Sequence, residues 1–189
     1  MSQAAAKNTQ SSKFSVREIC YTGLFAAVIA VMAQISIPMP LGVPMTMQTF
    51  AITLAAVVLG SKLSAMASLV YLILGAVGVP VLASFSGGID KFVGPTGGFL
   101  ISFPLMAYII GLGVEHRNAF KGAFPLAVVA GTVVNYIVGV ILFVIVAHST
   151  VAVAISACVL PFIPTAILKA VLACAIGLNI RKRIPGLKA

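Results

Sequence analysis

The chain has 189 residues, 61% of them apolar and only 8% charged, with a mean hydropathy of +1.17 and a net charge of +9. Soluble domains carry roughly 25% charged residues, so this composition excludes an ordinary water-soluble domain, a disordered chain and a disulfide-stapled secreted domain. It leaves an all-α integral membrane protein, with room for about six spans at about 20 residues each.

Residues 1–17 are polar or small at first and read as an N-terminal tail. The first apolar run predicts a span over 18–37, too long for a signal-peptide core and followed by more spans, so it reads as retained. Within it Ala26 and Ala30 stand four apart, a pair of small residues that lets another helix approach closely. Pro38, Pro40, Gly42 and Pro44 then break the chain. The second helix is predicted over 47–60 and looks short. Thr46 and Gln48 open it, placed either to cap it or to face a cavity.

The third helix is predicted over 63–82 and the fourth over 98–114. The connection between them reads Ser86-Gly-Gly-Ile-Asp-Lys-Phe-Val-Gly-Pro-Thr-Gly-Gly-Phe-Leu. It carries Asp90 and Lys91 between paired glycines, with apolar residues of the kind that close over a ligand. Thr96, Gly97 and Gly98 lead into the fourth helix, whose first N–H groups can meet a carbonyl or an anion. The fifth helix, 124–147, has Asn135 and Tyr136 in mid-span, where polar side chains join helices or touch a ligand.

Segment 150–162 is apolar but set off by His148-Ser149-Thr150 and Pro161, and either extends the next helix or forms a short one of its own. The sixth helix is predicted over 164–181, leaving 182–189 as a basic C-terminal tail. Lys169 lies 12 residues before Arg181, about 18 Å along a helix. A lysine at that depth costs about 2.5–3.5 kcal/mol on insertion. It either snorkels to the surface or faces a polar, anion-accepting cavity.

The charges orient the chain. With both termini in the cytoplasm, ten of the twelve cations (Lys7, Lys13, Arg17, Lys62, Arg117, Lys121, Arg181, Lys182, Arg183 and Lys188) lie inside. The outer connections hold seven of the ten prolines, from Pro38 to Pro164. Irregular backbone at membrane depth is tolerated where it lines a cavity, so the ligand cavity is expected in the outer half. The basic charge is explained by this asymmetry rather than by nucleic acid. Cys20, Cys158 and Cys174 sit apart in apolar runs and read as packing residues, not metal ligands. No catalytic motif, carboxylate pair, ion-filter sequence or nucleotide-binding loop occurs. A membrane transport role, as a stand-alone carrier or facilitator for a small carboxylate or as a binding subunit that draws its energy for uphill transport from a partner, stands well ahead of an intramembrane enzyme.

Three segments in this order carry a resemblance: Val43-Pro-Met-Thr-Met-Gln-Thr-Phe, then Gly87-Gly88 with Gly94-Pro-Thr-Gly-Gly-Phe-Leu, then Phe162-Ile-Pro and Lys169. From about residue 16 to 184 the chain resembles the BioY family, the biotin-binding S components of energy-coupling factor transporters. The resemblance implies six membrane helices with both termini cytoplasmic in the cell membrane. It implies biotin as transported substrate rather than cofactor, held at the outer side beneath the connections of helices 1–2 and 3–4. It also implies a membrane coupling subunit and two ATPase subunits as partners, with Ala26 and Ala30 matching the family's Ala-x-x-x-Ala motif for the coupling subunit. Lys169 matches the family lysine. The family's acid ahead of it is replaced here by Ala166, so a bond drawn from that acid has no counterpart at this position.

Biotin has a carboxylate, an apolar ring and chain, and a neutral ureido group. Lys169 or Lys91 is suited to the carboxylate. Thr46, Gln48, Asp90 and the Gly97–Gly98 backbone are suited to the ureido group.

Overall fold

The computed structural model describes residues 15–39, 42–118 and 122–184. The tail to residue 14, Pro40, Lys121 and residues 185–189 lie outside the described residues, with the readings made of them. Helix α1 (Val16–Ala33) starts at Ser15, whose backbone N–H donates to the Glu18 carboxylate at 2.8 Å, half of a capping box. The predicted span to residue 37 ends four residues early. Gln34 stops it: its side-chain amide donates to Ala30 O at 2.8 Å and to Val81 O at 3.1 Å, and its Oε1 accepts from Phe85 N at 2.7 Å. Residues beyond it form β1 (Ser36–Ile37), paired antiparallel with β2 (Met45–Thr46) in the register Ser36 to Thr46.

Helix α2 (Gln48–Leu59) is the centre of the molecule. All of its residues except Thr49 are buried, as expected for a short helix that is apolar all round. Helix α3 (Ser61–Ala76) follows after a single residue, Gly60, at φ 86°, a backbone state natural to glycine. This helix also ends earlier than predicted. Residues 77–82 turn back, and Leu82 bridges to Ser86. The connection holds a one-turn helix that the sequence pattern did not announce, α4 (Asp90–Val93).

Helices α5 (Gly97–Glu115) and α6 (Ala123–Val146) match expectation to within a residue. Segment 150–162 resolves into its own helix, α7 (Val151–Cys158), and a 3-10 turn at Leu160–Phe162, before α8 (Ile163–Arg183). Thr150 caps α7 by accepting from Val153 N at 3.4 Å. Four helical stretches, Val16–Ala33, Gly97–Glu115, Ala123–Val146 and Val151–Arg183, are long and apolar enough to cross a membrane, while α2 and α3 are shorter apolar helices.

At one end of the bundle the helix termini are neutralised by charge. Arg181 of α8 donates to Val57 O at 3.2 Å and Val58 O at 3.0 Å, covering the last carbonyls of α2. Glu115 accepts from Ser61 N at 2.7 Å at the start of α3. Each charge faces the helix end whose partial charge it opposes. At the other end Lys169 donates to Thr46 O at 2.7 Å, just before α2. Helix α8 therefore runs parallel to α2 and holds it at both ends. The first set of contacts marks a basic end of the bundle, and the connections 34–47, 77–96 and 147–162 mark a loop end.

Packing bears on two sequence readings. Ala26 is 3% exposed and belongs to the core cluster with Ile29, Ala33 and Tyr71. Ala30 is half-buried against the same cluster. Gly97 and Gly98 are packing positions. A β-carbon on Gly98 would lie 2.6 Å from Val138 O, which is α6 backbone. The Gly98→Leu variant is therefore expected to separate α5 from α6 and cost at least about 2 kcal/mol, seen as a lower melting temperature of the purified protein in detergent.

Candidate functional site

The loop end holds a cavity of about 290 Å³, close to the lower limit of about 300 Å³ for small-molecule pockets. Its floor and walls come from α2, α5, α6 and α8. Its roof comes from residues 42–46, 82–86 and 91–96, with Cys158 and Phe162 at one side. No described residue of α1 or α3 lines it.

Seven residues singled out from sequence meet here: Thr46, Gln48, Lys91, Thr96, Asn135, Tyr136 and Lys169. They come from four separate stretches of chain, brought together by the parallel packing of α2 with α8 and by the close approach of α5 to α6. Asp90, Gly97 and Gly98 do not line the cavity. Asp90 is on the exposed rim, where it pairs with Lys91 at 3.3 Å.

The polar side chains divide by how much bonding capacity is left. Gln48 is partly engaged: its amide nitrogen donates one hydrogen to the Tyr71 hydroxyl at 2.5 Å and keeps the other, and its oxygen accepts from Thr46 Oγ1 at 2.7 Å. Asn135 donates both amide hydrogens to α5, to Phe99 O at 3.1 Å and to Ser102 Oγ at 2.8 Å. Its Oδ1 has no donor among the described residues. It thus joins helices and keeps one acceptor free. The Tyr136 hydroxyl has no partner among the described residues.

Lys169 differs from Lys91 in what compensates its charge. Lys91 has Asp90. Lys169 has a single neutral carbonyl, Thr46 O. No Asp or Glu lines the cavity among the described residues, so the cavity wall carries positive charge only. A half-buried ammonium with one of three donors used is an anion site in chemical terms.

The apolar wall was largely missed from sequence. Phe99 and Phe103, four apart on α5, face the cavity with Leu100, Leu82, Val43 and Phe162. Their i, i+4 spacing was a usable signal for one helix face, but many apolar residues of α5 share that spacing. Ser84 and Phe85 have positive φ, 57° and 54°, a strained state for side-chain-bearing residues. The Gln34 bond to Phe85 N holds them there, with Ser36 Oγ and Ser84 Oγ 2.9 Å apart.

This architecture defines a helical membrane protein with a cationic, partly aromatic cavity of small-molecule size at one end. The sequence profile of the BioY family matches residues 6–186, and the chain belongs to that family. The chain is 42% identical over 168 residues to a protein of Thermotoga maritima named biotin transporter BioY, covering 88% of this chain and 97% of that one. A protein of Rhizobium etli with the same name is 34% identical over 186 residues, covering 93% and 98%. A solved structure, the S-component for biotin from an ECF-type ABC transporter, superposes with a TM-score of 0.79 at 27% identity, covering 88% of this chain and 92% of that one. The family is one of transport proteins and not of enzymes.

Proposed function

We propose that the chain is the substrate-binding S component of an ECF-type importer, that it captures biotin in the loop-end cavity, and that biotin is its cargo and not a cofactor. The loop end then faces outward. Both termini face the cytoplasm, because the basic end carries Arg117, Arg181, Lys182 and Arg183. In this reading six helical units build the membrane domain, α2 and α3 being the short inner ones and α7 with α8 one continuous outer-to-inner unit. A membrane coupling subunit and two ATPase subunits supply the energy, since the chain carries no nucleotide-binding loop.

The observation that carries the reading is the cavity's charge: Lys169 stands in its wall without an acid. An ammonium there loses hydration, and a ligand carboxylate restores the missing interaction. The aromatic wall of Phe99, Phe103 and Phe162 suits a thioether ring and an alkyl chain. Asn135 Oδ1, the Tyr136 hydroxyl and Thr96 supply the acceptors and donors for the ureido group.

The test is direct. The purified chain in detergent, without ATP or partners, is expected to retain labelled biotin saturably and to release heat on titration. A chain that is folded but gives neither signal would remove biotin as the ligand. Uptake into vesicles by the chain alone, without ATPase subunits, would point to a stand-alone carrier instead.

A further inference from the structure

A second chamber of about 20 Å³ adjoins the cavity. The two share Thr49, Asn135, Tyr136, Ala166 and Lys169. Its other walls come from Thr53, Met106, Thr132 and Ala170. On α2, α5 and α6 these residues lie about one turn further from the loop end than the nearest cavity residue, and on α8 Ala170 directly follows Lys169. The chamber therefore sits beneath the ligand cavity, between it and the bundle core. Its volume accommodates one water molecule, which needs at least about 10–15 Å³ and two to four polar partners.

The walls supply those partners. Thr53 is 2% exposed, and its hydroxyl has no hydrogen-bond partner among the described residues. Thr49, one turn earlier in the same helix, is likewise without one, whereas two other helical threonines are satisfied locally. Thr22 and Thr132 both donate to the carbonyl four residues earlier at 2.8 Å, the usual resolution for a buried hydroxyl. Asn135 offers the free Oδ1 described above. Lys169 has two N–H donors beyond the one given to Thr46 O. A donor-rich ammonium, an acceptor-only oxygen and a two-way hydroxyl form a complete set for one water. A metal cation is disfavoured by the ammonium in the wall and by the absence of any carboxylate there. A carboxylate-bearing ligand is too large for the space.

We propose that this chamber binds a single water that links Lys169 to Thr53 and Asn135, making Thr53 a positioning residue for substrate capture. The inference rests on the biotin reading above for its functional part. The three N–H bonds of an ammonium are disposed about one axis. With Thr46 O taking one and the water a second, the third is left for the ligand cavity, which Lys169 also lines. The side chain is then held for the carboxylate before the ligand arrives, which lowers the ordering cost of binding. Without the water, Lys169 has one fixed bond and swings about it.

The experiment compares Thr53→Val and Thr53→Ser in the purified full chain, with labelled biotin as probe. Val keeps the shape and removes the hydroxyl; Ser keeps the hydroxyl and removes a methyl group. The water link predicts about fivefold weaker biotin binding for Thr53→Val and binding within about twofold of the parent for Thr53→Ser. A packing role predicts the reverse order, and that order, or parental binding by Thr53→Val, overturns the proposal. Failure of the parent chain to bind biotin overturns the ligand reading instead. The water itself is then judged separately: a high-resolution crystal structure of the parent chain should show one solvent peak bonded to Thr53 Oγ1, and a dry chamber overturns the inference. The same structure decides the matter should Thr53→Val fail to fold.

Discussion

Replacement of Lys169 by Met is expected to weaken biotin binding by at least tenfold while leaving the affinity for biotin amide close to that of the parent. The argument is one of charge. In the parent, the ammonium donates to Thr46 O at 2.7 Å and has no acid partner in the cavity. A charge-assisted bond to the ligand carboxylate contributes about 1.5–3 kcal/mol, which is about tenfold to over a hundredfold in affinity. Met preserves most of the length and apolar volume of the side chain, so the cavity's shape is largely kept. The amide ligand carries no charge for Lys169 to recognise, so it loses only the neutral part of the contact. Calorimetric titration of both ligands against both proteins gives the four affinities required. Equal losses for the two ligands would place Lys169 at the ureido ring or in the α2–α8 contact. Lys91→Met serves as the control. Its ammonium is already paired with Asp90 at 3.3 Å on the rim, so the loss there is expected to be small, as for exposed ion pairs in general.

The features legible in the sequence were those set by averages over many residues. Hydropathy located the helices, and the distribution of cations separated the basic end from the loop end. The starts and ends of α5 and α6 were predicted to within a residue because Gly97-Gly98, Glu115 and Gly122 punctuate them. What escaped was set by single side chains acting across long separations. Gln34 ends α1 by reaching Val81 and Phe85, and hydropathy alone cannot distinguish that from a longer span. Helix α3 stops at Ala76 because the next residues fold back under Leu82, a residue that is 2% exposed.

The candidate site divides in the same way. Polar residues inside apolar runs, Lys169 and Asn135 above all, are conspicuous because they are costly there. Apolar cavity-lining residues such as Phe99 and Phe103 look the same as packing residues. Glycines posed the opposite difficulty. Gly97-Gly98 next to a helix start suggests a backbone donor site, yet the same lack of a side chain lets α5 lie against Val138 and Gly139 of α6. Thr53 is inconspicuous in the sequence because a threonine in a helix ordinarily satisfies itself locally, and only the three-dimensional arrangement shows its hydroxyl without a partner among the described residues.

The neighbouring positions Ala26 and Ala27 are expected to give opposite phenotypes when each is replaced by Trp. Ala26 is 3% exposed and packs with Ile29, Ala33 and Tyr71 in the core. An indole has no room there, and overpacking costs typically about 1–3 kcal/mol and more for so large a change. Ala26→Trp should therefore lower the melting temperature and reduce biotin binding together. Ala27 is exposed, as are Cys20 and Gly23 on the same side of α1, and a β-carbon on Gly23 would have nothing within 4 Å. With exposed Leu24 and Val31 beside them, the small residues Gly23 and Ala27 leave a place where a second helix can approach closely, and in the S-component reading the coupling subunit is its occupant. Ala27→Trp should leave biotin binding by the isolated chain unchanged while weakening co-purification with the coupling subunit and abolishing ATP-driven uptake. Ala30→Trp, at a half-buried position, should show some of each effect. Undiminished uptake by Ala27→Trp would mean that this side of α1 faces lipid and that the coupling subunit binds another helix. A loss of biotin binding by Ala27→Trp would mean that α1 packs more tightly against its own bundle in the membrane than its exposed face indicates. The two variants thus separate capture from delivery one residue apart on a single helix.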